Sequence, residues 1–401
     1  MRRIDGPRTE ADDWTHFDYD AVGRVVAIRT PGGARRVLAH DSSGRPTHIA
    51  QTGRPDLELR YDTSGRVLSM AELRAQGKVE TSFAYDHAGR LTRIVDAQGR
   101  GTRYGFDAAG RPNRLWSSDS DVRIVARYAP DDRLERIAAF RASGQLLRAL
   151  YYVYDAERRL IEVRDGDGQP LRQLAHLNGD TLPDRTTDPL GNTSAWAYDA
   201  FGRLVSTLAP DGGETRVEYD ALDRMTRLTA PNDAATAYVH DDFGRRVLER
   251  SADRGETRYE YDAAGNLLQK TDARGETLRL AYDAANRLIQ VKRSQGVTTL
   301  RYTDGLLARV EGEFADERYE YDRDAQLVMH RRTIDGRTFA SRFSYDSRGR
   351  LATRELPSGA RLRYRYASNG ALQSIVQERW LGDRVLVRTN DDASAVRSRP
   401  R

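Results

Sequence analysis

Side chains able to do chemistry are plentiful in this chain but are not gathered. Seven histidines stand at positions 16, 40, 48, 87, 176, 240 and 330, scattered and without the spacing of metal ligands. There is no cysteine, which excludes disulfides, thiolate metal sites and a cysteine nucleophile. Asp165-Gly166-Asp167-Gly168 has the opening of a calcium loop, but the later ligands and the closing bidentate glutamate are missing. Carboxylate pairs such as Asp241-Asp242 have the composition for acid–base work. Aspartates of this kind recur throughout the chain, however, so none of them stands out. Neither a phosphate loop nor a Gly-x-Ser-x-Gly elbow occurs. No catalytic, cofactor-binding or metal-ligating residue is assigned, no cofactor is called for, and the chain is expected not to be an enzyme.

The aspartates belong to a repeat. Tyr85-Asp86-His87-Ala88-Gly89-Arg90-Leu91 returns as Tyr198-Asp199-Ala200-Phe201-Gly202-Arg203-Leu204. Taking the tyrosine as the origin, the repeat begins at 19, 40, 61, 85, 106, 128, 154, 176, 198, 219, 240, 261, 282, 302, 321, 345 and 366, seventeen times. Phe106 and His40, His176 and His240 replace the tyrosine with other flat rings. A fixed period of this length means a repeat architecture.

Each copy reads as a hairpin. Aspartate favours the first position of a type I turn, where its carboxylate accepts a nearby backbone N–H. Glycine three residues later suits the left-handed conformation of a G1 bulge. Arg158, Asp132, Asp223 and Ala325 stand where that glycine is expected, which predicts loose or kinked turns. The apolar residue six after the tyrosine, such as Val67, Leu91, Leu204 or Met225, is placed to face it across the pair. A second turn signal falls midway, as in Asp96-Ala97-Gln98-Gly99 and Pro210-Asp211-Gly212-Gly213. The fold class is therefore all-β, repeated antiparallel hairpins in one long sheet.

Composition agrees. Hydrophobic residues make up 38% and charged residues 31% of the 401, which suits a thin layer rather than a thick core. The net charge is +5, and lysine occurs only at 78, 270 and 292. The arginines alternate with Asp and Glu after the turn glycines, so they read as a solvated face and not as a nucleic-acid stripe. No apolar run approaches about 18 residues, so no transmembrane helix is expected. Met1-Arg2-Arg3-Ile4-Asp5-Gly6-Pro7 lacks the apolar stretch of a signal peptide, so a cytoplasmic location before any delivery is expected. Residues 1–18 read as an N-terminal partial repeat, 19–378 as the repeat domain and 379–401 as a polar tail expected to be disordered.

These motifs resemble the YD-repeat family: bacterial Rhs proteins, wall-associated repeat proteins, toxin-complex C components and teneurins. Tyr261-Asp262-Ala263-Ala264-Gly265-Asn266-Leu267 carries the likeness well, since spacing, turn glycine and apolar register agree together. The resemblance implies a spiralling β-sheet shell, one that can be open or incomplete in a chain of this length. It implies a non-catalytic scaffold that encapsulates a C-terminal polymorphic toxin, delivered by type VI secretion or displayed at the cell surface. Cargo would be a toxin polypeptide or the missing Rhs core segment, with secretion-system spike proteins as further partners. Nothing after Tyr366 resembles the family's self-cleaving core domain, so a piece of a longer effector, or a nonfunctional truncated remnant, is expected. Asp188-Pro189-Leu190-Gly191-Asn192 looks like the family's cleavage motif but sits where an inter-repeat turn belongs. An alternative role is a cell-surface carbohydrate-binding protein, with Trp14, Trp116 and Trp196 as rings that could stack on sugars.

Overall fold

The computed structural model of the chain describes residues 3–7, 13–118, 120–177, 179, 181–313, 315–367, 370–378 and 383–388. Among them the chain is a succession of short strands, with one three-residue 3-10 turn at Pro31–Gly33 as the only helix. Two compact units form: residues 1–102 with 280–401, and residues 103–279. The repeat stretch is shared between them. In each unit, strands that follow one another in sequence pair antiparallel.

The tyrosine closes one strand and the apolar residue opens the next. In the first unit Tyr19 ends Thr15–Tyr19 opposite Val25, Tyr61 lies opposite Val67, and Tyr85 lies opposite Leu91. In the second unit Tyr198 lies opposite Leu204, Tyr219 opposite Met225 and Tyr261 opposite Leu267. The register shifts just before each of these tyrosines, which is the bulge that the turn glycine demands. At one such turn Gly202 N–H donates to the Asp199 carbonyl at 2.9 Å, with Gly202 at φ +77°.

The turns at the four positions named above are not loose. Asp132, Arg158, Asp223 and Ala325 adopt φ of 70°, 69°, 61° and 61° and keep the same backbone hydrogen bond. A left-handed residue with a Cβ costs about 1–2 kcal/mol. Compensation is visible at two of them: Arg111 Nη1 donates to Asp132 at 2.7 Å, and Arg203 Nη1 to Asp223 at 2.7 Å.

Little is fully buried. Ala27, Ala71, Ala138, Ala149 and Val376 are at most 4% exposed, and among the described residues no large side chain is completely covered. A single layer has no thick core, so neighbouring strands supply most of what holds each hairpin. Upstream of Tyr19, the short strand Arg3–Ile4 adds to Thr15–Tyr19. Near the other end Arg384–Arg388 pairs with Leu372–Glu378, inside the segment expected to be a disordered tail. Val385, Leu386 and Val387 are strand formers with a neighbouring edge to join. Residues 379–382 and 389–401 of that expected tail lie outside the described residues.

Candidate functional site

In many of the repeats three side chains form a link to the next. Asp20 Oδ1 accepts the N–H of Val22 at 3.0 Å and of Arg24 at 2.8 Å, while Oδ2 pairs with Arg24 Nε at 2.6 Å. Arg24 Nη1 then donates to the carbonyl of Asp41, which opens the following YD turn, at 3.1 Å. Arg45 continues to the Asp62 carbonyl at 3.0 Å. In the second unit Arg203, Arg224 and Arg245 reach the carbonyls of Asp220, Asp241 and Asp262 at 2.9, 2.6 and 2.8 Å.

The same guanidinium lies over the next tyrosine ring: Arg45 over Tyr61 at 4.9 Å, Arg203 over Tyr219 and Arg245 over Tyr261 at 5.0 Å. That tyrosine's hydroxyl donates back toward the preceding hairpin, as Tyr219 does to the Leu204 carbonyl at 3.0 Å and Tyr345 to the Leu327 carbonyl at 2.9 Å. His176 occupies the corresponding place, its Nε2 3.0 Å from the Leu160 carbonyl. These arginines are therefore not simply a solvated face. An arginine side chain is long enough to pair with its own turn and still reach the following one, a reach that strand pairing sets and sequence adjacency hides.

The carboxyls respond. The backbone N–H of the arginine four residues on, with its side chain, holds Asp20, Asp41, Asp62 and Asp86 below the ordinary carboxylate range, against the opposing effect of partial burial.

Within the first unit, turns from the two ends of the chain seat on one another. The Ala75 N–H donates to both carboxylate oxygens of Asp324, at 2.9 and 2.8 Å, and Arg323 Nη2 donates to the Ala75 carbonyl at 2.7 Å. Asp324 is 7% exposed. Gly53 abuts the Asp304 carbonyl so closely that a Cβ there would collide with it. Gly32 meets Ala285 and Arg287, and Gly370 meets Gln98. In each contact an inter-repeat turn of the early stretch meets a YD turn of the late stretch. A cavity of about 510 Å³ lies at this seam, lined by Gly53, Asp304, Leu306, Tyr319 and Arg323 among others.

The residues singled out for chemistry are not brought together. Asp165 opens a turn closed by the Gly168 N–H on its carbonyl at 3.2 Å. Asp188 caps the turn between Arg185–Thr187 and Thr193–Tyr198, accepting from Leu190 N and Asn192 N at 2.9 Å each. His48 sits 3.2 Å from Asp56. His330 stacks on Tyr319 with centroids 4.8 Å apart, and its Nε2 is 3.0 Å from Glu317. Burial and then the hydrogen bond to Glu317 push the Tyr319 hydroxyl up to about 12, so it remains a donor at neutral pH. Among the described residues no three of His, Asp or Glu are grouped to hold a metal ion. Trp14 is capped by the Arg3 guanidinium, 3.1 Å from the ring centroid. Trp196 is half-buried opposite Thr207, and Trp116 lines a cleft of about 700 Å³ with Phe140 and Arg123. Among the described residues no helix is long and apolar enough to cross a membrane.

Comparison with known proteins accords with the repeat. The Teneurin YD-shell family model matches residues 213–377, and the RHS Repeat model matches 19–56, 61–100, 85–115 and 185–215. The chain is 27% identical over 216 residues to a probable deoxyribonuclease RhsA of Dickeya dadantii, covering 53% of this chain and 14% of that protein. It is 30% identical over 205 residues to toxin protein Tse5 of Pseudomonas aeruginosa, covering 48% of this chain and 14% of that protein. The chain thus aligns with a small part of the length of both relatives. Among solved structures, TcdB2-TccC3 without its hypervariable C-terminal region aligns over 91% of this chain and 25% of that one, with a TM-score of 0.46 and 16% identity. With two repeat models matched along a chain of bulged Tyr-Asp hairpins, the protein belongs to the Rhs family of YD-repeat proteins.

Proposed function

We propose that this chain is a non-catalytic scaffold, a wall that encloses a toxin polypeptide. The seating of turn edge on turn edge in the first unit carries the reading, because a wall can exclude a protease only where its courses meet. The relatives support it in part: Tse5 is named a toxin and RhsA a probable deoxyribonuclease, and those activities are said of those proteins. In this proposal residues 19–378 are the wall-forming stretch. The guest is a toxin or a remaining Rhs core segment, and delivery is by a secretion apparatus whose spike would be a further partner.

The test is to co-express the 401-residue chain with the polypeptide encoded directly downstream and follow digestion of that polypeptide by a nonspecific protease. The guest is expected to co-purify and to outlast the same guest alone. Digestion at the rate of the free guest overturns the proposal.

One observation favours a second reading. The cleft that joins Trp116 to Phe140 and Arg123 offers two rings and a cation, a combination that suits a sugar face. A glycan array in which Trp116→Ala binds as well as the parent chain would remove it.

A further inference from the structure

Three consecutive hairpins of the second unit carry a large apolar residue at the same turn position, three after the ring. These are Phe201, Leu222 and Phe243, and they are 83%, 68% and 84% exposed. Their backbone N–H groups are fixed on Asp199, Asp220 and Asp241 at 2.9, 2.9 and 3.0 Å. Arg203 and Arg245 lie over the two phenylalanine rings at 5.2 and 5.1 Å. Neighbouring hairpins stand two strand spacings apart, about 10 Å, so the three form a row about 20 Å long on one turn edge. Apolar surface grouped in this way marks an interaction site more often than scattered single residues do.

The first unit shows what such an edge receives. The residue at the same turn position is Ala285 after Tyr282 and Asp324 after Tyr321. Ala285 is half-buried against Gly32, and Asp324 is buried against Ala75. Both partners lie on inter-repeat turns. In the first unit, then, late YD turns mate with early inter-repeat turns. The chain also carries exposed inter-repeat turns at Asp335-Gly336 and Pro357-Ser358-Gly359. Beside the first of them Phe339 is 45% exposed, and beside the turn at Ser294-Gln295 Val297 is 41% exposed. Apolar surface is thus offered from both edges.

We propose that the Phe201–Leu222–Phe243 row docks the inter-repeat edge of a second copy of this chain, head to tail. The contact is heterologous: one copy gives the row and the other gives the turns near Phe339 and Val297. It does not depend on the enclosing role proposed above.

Sedimentation velocity of the full chain over about 1–100 µM, the range of a modest interface, tests it. Wild type is expected to associate with rising concentration. Phe201→Ser/Leu222→Ser/Phe243→Ser is expected to weaken association by ~100-fold or more, as loss of central apolar anchors does. Val297→Ser/Phe339→Ser is expected to do the same through the other edge. The two variants, each monomeric alone, are expected to form a one-to-one heterodimer when mixed, because one keeps its turns and the other its row. Circular dichroism checks that both variants retain the strand spectrum. The proposal is overturned by a wild type that stays monomeric, by a row variant that associates like wild type, or by a mixture that stays monomeric.

Discussion

At a single turn one aspartate holds two backbone N–H groups and one guanidinium, and the guanidinium holds the following turn. That arrangement explains the residue types. Glutamate would place the carboxylate a methylene too far out, and lysine lacks the fork that reaches Asp and carbonyl together. The glycine is a matter of backbone conformation alone at Gly202, where a Cβ would meet nothing within 4 Å. Gly202→Ala is therefore expected to destabilise by about 1–2 kcal/mol, and Gly202→Asn by less, since asparagine tolerates the left-handed region. Asn286 at φ +61° already stands in the corresponding place. Chemical denaturation of the two variants measures the difference. The ring, the aspartate and the glycine were legible in the sequence because their period is local. The arginine's second partner was not, since Arg24 and the Asp41 carbonyl are 17 residues apart and meet only through the strands between them.

At the scale of the hairpin the capping carboxylates set the pH dependence. Their pKa values are lowered on folding, so the stability they contribute is fully present above the unfolded value near 4. It is lost as pH falls through the lower folded values. Denaturant midpoints are expected to be flat from neutral pH to about pH 5 and to fall below about pH 4. Asp62→Asn should lower the neutral-pH midpoint and shrink that acid fall, and a fall of unchanged size in such variants would contradict the assignment. The pairing of Tyr61 with Val67 and of Tyr219 with Met225 was legible from turn chemistry and alternation. The tightness of the turns at Asp132 and Asp223 was not, because it depends on an arginine from the preceding repeat.

At the scale of the molecule the account rests on edges more than on a core. Asp324 and Ala75 are 249 residues apart, and no periodicity announces that they meet. Repeats predict a ladder of neighbours, but where a long sheet comes back upon itself depends on small increments of twist summed over many strands. Asp165 and Asp188 each open a turn, while His48 and His330 lie beside Asp56 and Glu317 across paired strands.

The seam also gives the most direct test of the enclosing role. An unfolded reporter polypeptide fused to the C-terminus of the full chain is digested by a nonspecific protease, in the wild type and in Arg323→Ala/Asp324→Ala, with circular dichroism confirming that both keep their strands. The account predicts that the reporter outlasts the free reporter on the wild type and is cut quickly on the variant. A reporter cut on the wild type as fast as when free would contradict it.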